Sequence, residues 1–142
     1  MFIDGNSHYL KVKLLQLKSN TFLAIKALIE QAEVETGKHI NFFQSDSGGE
    51  YGSNECAAYF ESKGIHHEKT NAYTPQENGM AEGMNRTIEE MALSFLKDMG
   101  LPKTYWGYVV LYTVYIINCS PTCAIKGDLT PFEAYTGNKL SF

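Results

Sequence analysis

His39-Ile40-Asn41-Phe42-Phe43-Gln44-Ser45-Asp46-Ser47-Gly48-Gly49-Glu50-Tyr51 is an apolar run that ends on an acid and passes into a glycine-rich turn. A short apolar run bounded by turn residues is the pattern of a buried strand, so residues 39–44 are expected as a strand with Asp46 just past its C-terminal end. Thirty-five residues separate Asp46 from Glu82, which lies in Pro75-Gln76-Glu77-Asn78-Gly79-Met80-Ala81-Glu82-Gly83-Met84-Asn85-Arg86-Thr87. There Met80, Met84, Ile88, Met91, Phe95 and Met99 recur every three or four residues, the period of one helix face. Glu82 sits about 200° around the helix from Met80 and from Met84, on the side of Arg86 and Glu89. Alone, an Asp before Ser-Gly-Gly is an ordinary turn former and a helical Glu is ordinarily solvated. Together, a strand end and a helix each offer one carboxylate. Such a pair suits Mg²⁺, which prefers oxygen ligands, takes few carboxylates and keeps several waters. In a two-metal displacement one ion activates the attacking oxygen and the other stabilises the leaving oxygen, about 3.5–4 Å away.

The flanking sequence supplies the rest of an α/β order. Residues 2–3 and 8–17 read as a hairpin across Asp4-Gly5-Asn6-Ser7, with Lys11 and Lys13 alternating outward. Ser19 is the expected cap of a helix carrying Phe22, Ile25, Leu28, Ile29 and Ala32 at helical spacing, stopped by Gly37. Residues 54–63 form a second helix ended by Gly64, residues 65–68 a brief strand, and residues 71–78 a loop. The long helix runs from Met80 to Gly100. Leu101-Pro102 restarts a helix through Trp106, Tyr112 and Ile116, broken at Ser120-Pro121, and residues 131–135 make a last short helix after Thr130. The order β-β-α-β-α-β-α-α implies an antiparallel hairpin joined to crossover strands.

Composition bounds the function. At 142 residues and 44% hydrophobic, the chain is expected to form one domain. The apolar stretch 106–119 is interrupted by Gly107, Thr113 and Asn118 and falls short of the roughly 20 residues a bilayer needs. The N-terminus has no signal-peptide pattern, so no membrane and an intracellular location are expected, nuclear if the protein is functional. Three cysteines, Cys56, Cys119 and Cys123, without a C-x-x-C pair, argue against a disulfide framework or a cysteine zinc site. His66 and His67, adjacent on a strand, point to opposite faces and cannot easily share a metal. Tyr105, Tyr108, Tyr112 and Tyr115 recur at three and four, which predicts a packed helix face, although a base-stacking platform has the same residue types. The net charge of −4 opposes phosphate-driven duplex binding.

With these words on the page, the chain resembles the integrase catalytic core of Copia-type LTR retrotransposons, relatives of retroviral integrases. The resemblance is carried by Ser45-Asp46-Ser47-Gly48-Gly49-Glu50-Tyr51, by Tyr73-Thr74-Pro75-Gln76-Glu77-Asn78-Gly79-Met80-Ala81-Glu82 and by Met84-Asn85-Arg86-Thr87. It continues through Leu101-Pro102-Lys103-Thr104-Tyr105-Trp106, Ile117-Asn118-Cys119-Ser120-Pro121-Thr122 and Thr130-Pro131-Phe132-Glu133-Ala134-Tyr135, essentially the whole chain. It implies an RNase H-like fold, a polynucleotidyl transferase that joins retroelement ends to target DNA, and Mg²⁺ or Mn²⁺ as cofactor. It also implies an Asp, Asp, Glu triad in which Asp46 is the second acid and Glu82 the third. Residues 73–79 become the active-site loop, with Asn78 near the DNA end, and Asn85 and Arg86 phosphate contacts beside Glu82. In retroviral relatives the late helices help form a dimer, so a homodimer is implied as well.

The departures from the pattern set further expectations. In the family the first Asp lies on a central strand upstream of the segment that Phe2-Ile3-Asp4-Gly5-Asn6-Ser7 resembles. The chain is therefore expected to be an N-terminally truncated core without that strand, inactive alone, and without the zinc-binding N-terminal and DNA-binding C-terminal domains. Asp4 reads as a turn residue rather than a substitute for the first acid. Ser47 stands where the family usually has Asn, and Gly83 replaces a common Arg, which removes a cation and costs the helix roughly 1 kcal/mol relative to Ala. Glu89 adds negative charge near Arg86, and both changes predict weaker DNA engagement. The alternatives to an active transferase are a catalytically silent module acting in DNA binding or dimerisation, and a ribonuclease of the same fold.

Overall fold

The computed structural model describes residues 1–45, 53–69 and 75–140, with residues 75–78 described by backbone alone. Among the described residues the strands and α-helices follow the expected order with the last short helix added: β1 (Phe2–Ile3), β2 (Leu10–Lys11), α1 (Thr21–Thr36), β3 (Phe42–Ser45), α2 (Asn54–Lys63), β4 (His66–Lys69), α3 (Pro75–Asp98), α4 (Trp106–Cys119) and α5 (Pro131–Thr136). Among the described residues the strands form two separate pairs. β1 and β2 are antiparallel, Phe2 opposite Lys11, and β3 and β4 are parallel, Phe42 opposite His66. No strand within the described residues joins the pairs. The chain divides into two compact units, residues 15–80 and residues 1–14 with 81–142, so the boundary falls inside α3.

In the unit of residues 1–14 and 81–142, Leu10, Ile88, Ala92, Leu96, Val109, Val110 and Val114 form the core. The valines and isoleucines of α4 are poor helix formers, each losing a few tenths of a kcal/mol relative to Ala. Burial of a Val or Leu side chain returns about 1.5–3 kcal/mol, so packing rather than propensity holds α4. Leu10 is fixed from α4, where Asn118 accepts from the Leu10 amide through Oδ1 and donates to its carbonyl through Nδ2, both at 2.9 Å. The hairpin turn is closed by Asp4, whose Oδ2 accepts from the Ser7 amide at 2.8 Å and from its hydroxyl at 2.6 Å. Asp4 is thus engaged as a turn residue. At the far end Thr130 and Glu133 form a reciprocal capping box on α5, with Pro131 in its first turn.

The unit of residues 15–80 packs α1 and α2 with β3 and β4 through Ala24, Ile25, Leu28, Ile29, Phe43, Cys56, Phe60 and Ile65. A charged clamp ties its elements together. Glu33 of α1 takes Lys63 Nζ of α2 on Oε2 at 3.1 Å, and His39 Nδ1 lies 2.6 Å from Oε1. The His39 Nε2 is 2.9 Å from the Lys63 carbonyl. Burial raises the Glu33 pKa, but the hydrogen bond from Lys63, the Ile40 amide and the charges of Lys63 and His39 outweigh it, and the net shift is downward. A carboxylate held below its unfolded value contributes stability above the ordinary carboxylate range that is lost as pH falls through its folded value. Urea unfolding from pH 7 to pH 3 is expected to show Glu33→Gln less stable than wild type at neutrality, with the gap closing on acidification; a gap independent of pH would refute the clamp.

Several expectations are corrected. The second strand spans two residues instead of residues 8–17, matching the two residues of its partner β1, and Leu14, Leu15 and Leu17 are exposed. Ser19 does not cap α1; it lies in a 3-10 turn, Lys18–Asn20, that feeds the helix, and Asn20 occupies the cap position. β3 is covered on one face only, Phe43 and Ser45 turning inward while Phe42 is exposed. Residues 71–74 of the expected loop lie outside the described residues, but from Pro75 the backbone is helical. Proline suits a first helical position, where its missing N–H costs nothing. The methionine stripe also turns out differently: Met80 and Met99 are exposed, and the buried line is Ile88, Ala92 and Leu96. On α4 the tyrosines face outward, Tyr108 being 73% exposed, while Val109, Val110, Thr113 and Val114 pack.

Candidate active site

Glu82 stands on α3, a helix of 24 residues and about 36 Å. Its side chain is exposed, as are those of Asn85 and Arg86. Three and four residues on from Glu82, these two occupy the same side of the helix, so a carboxylate, an amide and a guanidinium share one solvent-facing strip. Gly79 and Gly83 flank the acid, and a Cβ at either would meet nothing within 4 Å. Asn78 belongs to the same helix by its backbone. Asp46 lies outside the described residues, one position beyond Ser45, the last residue of β3.

Among the described residues no group of three or more His, Cys, Asp or Glu side chains is gathered as a metal cage. The donor set agrees with that. Mg²⁺ is held by one or two carboxylates and its own waters, and an exposed Glu82 fits such a site, whereas a softer ion would call for His or Cys. The cysteines are all free, Cys56 being buried. A cavity of about 250 Å³ lined by His8, Met84, Met91, Ile117 and Pro131, among others, has no carboxylate in its wall and does not serve this chemistry.

The end of β3 carries a contact that sequence reasoning misses. Ser45 Oγ lies 2.8 Å from His67 Nε2 on β4, both side chains being on one face of the parallel pair. The His67 ring is 4.8 Å from Phe60 and 5.7 Å from Phe43. His66 turns the other way, exposed, against Phe42 at 5.7 Å. Burial, then the charges of Lys69 and His66, lower the His67 pKa, which favours the neutral ring. The only sequence signal was strand alternation, which separates the two histidines but does not name a partner.

Comparison with known proteins decides the relationship. The chain is 41% identical over 141 residues to the retrovirus-related Pol polyprotein from transposon TNT 1-94 of Nicotiana tabacum, which covers 99% of the chain. It is 34% identical over 145 residues to that from transposon RE1 of Arabidopsis thaliana, covering all of it. This chain is homologous to retrovirus-related Pol polyproteins of plant transposons. It spans about a tenth of the length of these curated relatives. No family profile matches the chain. Its fold is that of retroviral integrase catalytic cores, RNase H-like. The HTLV-2 integrase catalytic core domain, solved in complex with magnesium in a trimeric form, matches at a TM-score of 0.68 and 18% identity, over 94% of this chain and 80% of that one. The simian T-cell lymphotropic virus intasome, solved with the PP2A regulatory subunit B56 gamma, matches at 0.71 and 19%, over 98% and 48%. The chain thus pairs an integrase-core fold with sequence similarity to one segment of these Pol polyproteins. Among the described residues no helix is long and apolar enough to cross a membrane.

Proposed function

We infer that this core, of the Copia type, serves DNA integration of a retrotransposon as the metal- and DNA-binding part of a polynucleotidyl transferase. Asp46 and Glu82 are ligands of Mg²⁺ or Mn²⁺, and Asn78, Asn85 and Arg86 meet the DNA. The observation that carries this reading is the interval of 35 residues between Asp46 and Glu82 in a chain with the integrase-core fold. The bound metal supplies the polarisation of phosphoryl oxygens that in-line displacement needs. Glu82 contributes a carboxylate on the open side of α3, and Arg86, one turn on, offers the planar donor fork that suits a phosphate. The exposed tyrosine face of α4 is the surface we assign to self-association.

The test is Mn²⁺ binding by the 142-residue protein, followed by water-proton relaxation, together with disintegration of a branched oligonucleotide in Mg²⁺ or Mn²⁺. Asp46→Asn and Glu82→Gln are each expected to lower Mn²⁺ affinity at least about tenfold and to remove any disintegration activity. Full activity in either variant would sink the assignment. The catalytically silent reading predicts salt-dependent DNA binding without any cleavage, against the opposition of the net charge of −4.

A further inference from the structure

Resting on the metal-site reading above, we propose that Gly83 is a positioning residue for Glu82: it divides α3 into an anchored helix and a turn that cation binding must order. Among the described residues of α3, Ile88 is the first that is buried. From Gly79 to Thr87 all are exposed except the half-buried Met84, which packs on the core of its unit. A helix in a protein is held mainly by the packing of one face. That hold reaches Met84 and ends there, so the turn before it rests on backbone propensity alone. Glycine lowers helix propagation about fivefold relative to Ala, and Gly79 and Gly83 lie one turn apart with Glu82 between them. Their surroundings do not call for glycine: a Cβ at either meets nothing within 4 Å, and neither has a positive φ. What they contribute is backbone freedom. The Gly83 carbonyl also accepts from the Thr87 hydroxyl at 3.0 Å, a back-bond of the kind that slightly destabilises and bends helices. Unwinding from the N-terminal end therefore passes through Gly83 and stops where packing begins. Glu82 falls on the unwinding side of that boundary, and Asn85 and Arg86 on the anchored side. A cation site that needs Glu82 on the strip of Asn85 and Arg86 exists only in the helical fraction, and its apparent dissociation constant rises by the inverse of that fraction.

Gly83→Ala isolates this effect, because the added methyl has open space and only propensity changes. Ser94→Gly places a helix penalty of the same kind at an exposed position of the anchored part and serves as the control. Two readouts on the 142-residue protein are needed, the α-carbon chemical shifts in the metal-free protein and Mn²⁺ affinity followed by water-proton relaxation. In wild type the shifts of Met80, Ala81 and Glu82 are expected between coil and helix values, and those of Ile88 to Leu96 at helix values. Gly83→Ala is expected to move the first group toward the helix values, leave the second in place and tighten Mn²⁺ binding about two- to fivefold. Ser94→Gly is expected to leave the first group where it stands. Full helix values at Glu82 in wild type would overturn the proposal, and so would a measured Mn²⁺ affinity no tighter in Gly83→Ala or an equal displacement of the first group by Ser94→Gly. If neither wild type nor Gly83→Ala binds Mn²⁺, the metal-site reading fails instead, and the shifts alone decide whether Gly83 divides α3.

Discussion

Asn118→Ala is expected to cost about 2–5 kcal/mol, since it leaves two buried main-chain groups without partners. Asn118 is 6% exposed and Leu10 1%. The carboxamide meets the amide and carbonyl of Leu10 as a neighbouring strand would, one acceptor and one donor at 2.9 Å each. It is the link that seats β2 on α4. Each vacated Leu10 group, buried beneath α4, then bears a desolvation cost of about 1–3 kcal/mol. Against a total stability of roughly 5–15 kcal/mol, that loss is large. Urea unfolding followed by circular dichroism would measure it, and a loss below about 1 kcal/mol would show that Leu10 finds other partners. Asn118→Asp adds a sign test. Its carboxylate can accept from the Leu10 amide but cannot donate to the carbonyl, so the charged form is disfavoured and its folded pKa rises. Protonation restores a donor, and the variant is expected to regain stability relative to wild type as pH falls through the carboxylate range.

The sequence announces some of this architecture through local chemistry. Ser53 as cap and Gly64 as a left-handed stop bound α2 where the pattern puts it, and Thr130 with Glu133 marks α5. Local signals fail where two answers share one pattern. On α4 the tyrosines and the valines both recur at helical spacing, and only tertiary packing decides that the smaller, branched side chains go inward. Pro75 reads as a loop residue because Pro, Asn and Gly cluster there, yet the same proline is a good first residue of a helix. The Leu10 to Asn118 bond, 108 residues apart, has no local signature at all. Of the candidate site, the exposure of Glu82 on the free side of its helix is legible from angular position alone, while the hold of His67 on Ser45 depends on the register of β3 against β4, which no spacing reveals.

Phe60→Ala is expected to destabilise the unit of residues 15–80 by about 3–5 kcal/mol, the usual cost of removing a fully buried aromatic ring. Phe60 is 2% exposed and touches Phe43 on β3, His67 on β4 and Tyr59 on its own helix, at centroid distances of 5.0, 4.8 and 6.2 Å. With the ring almost wholly buried, the lost transfer free energy and the cavity left behind add. Phe60→Leu keeps most of the volume and is expected to cost less than half as much. Hydrogen exchange would show where the loss falls. Amides of α2, β3 and β4 should lose protection in Phe60→Ala, and those of α4 should keep theirs. Equal loss across α4 would mean that the two units unfold as one, and a cost under about 1 kcal/mol would mean that His67 and Phe43 hold the end of β3 without the ring beneath them.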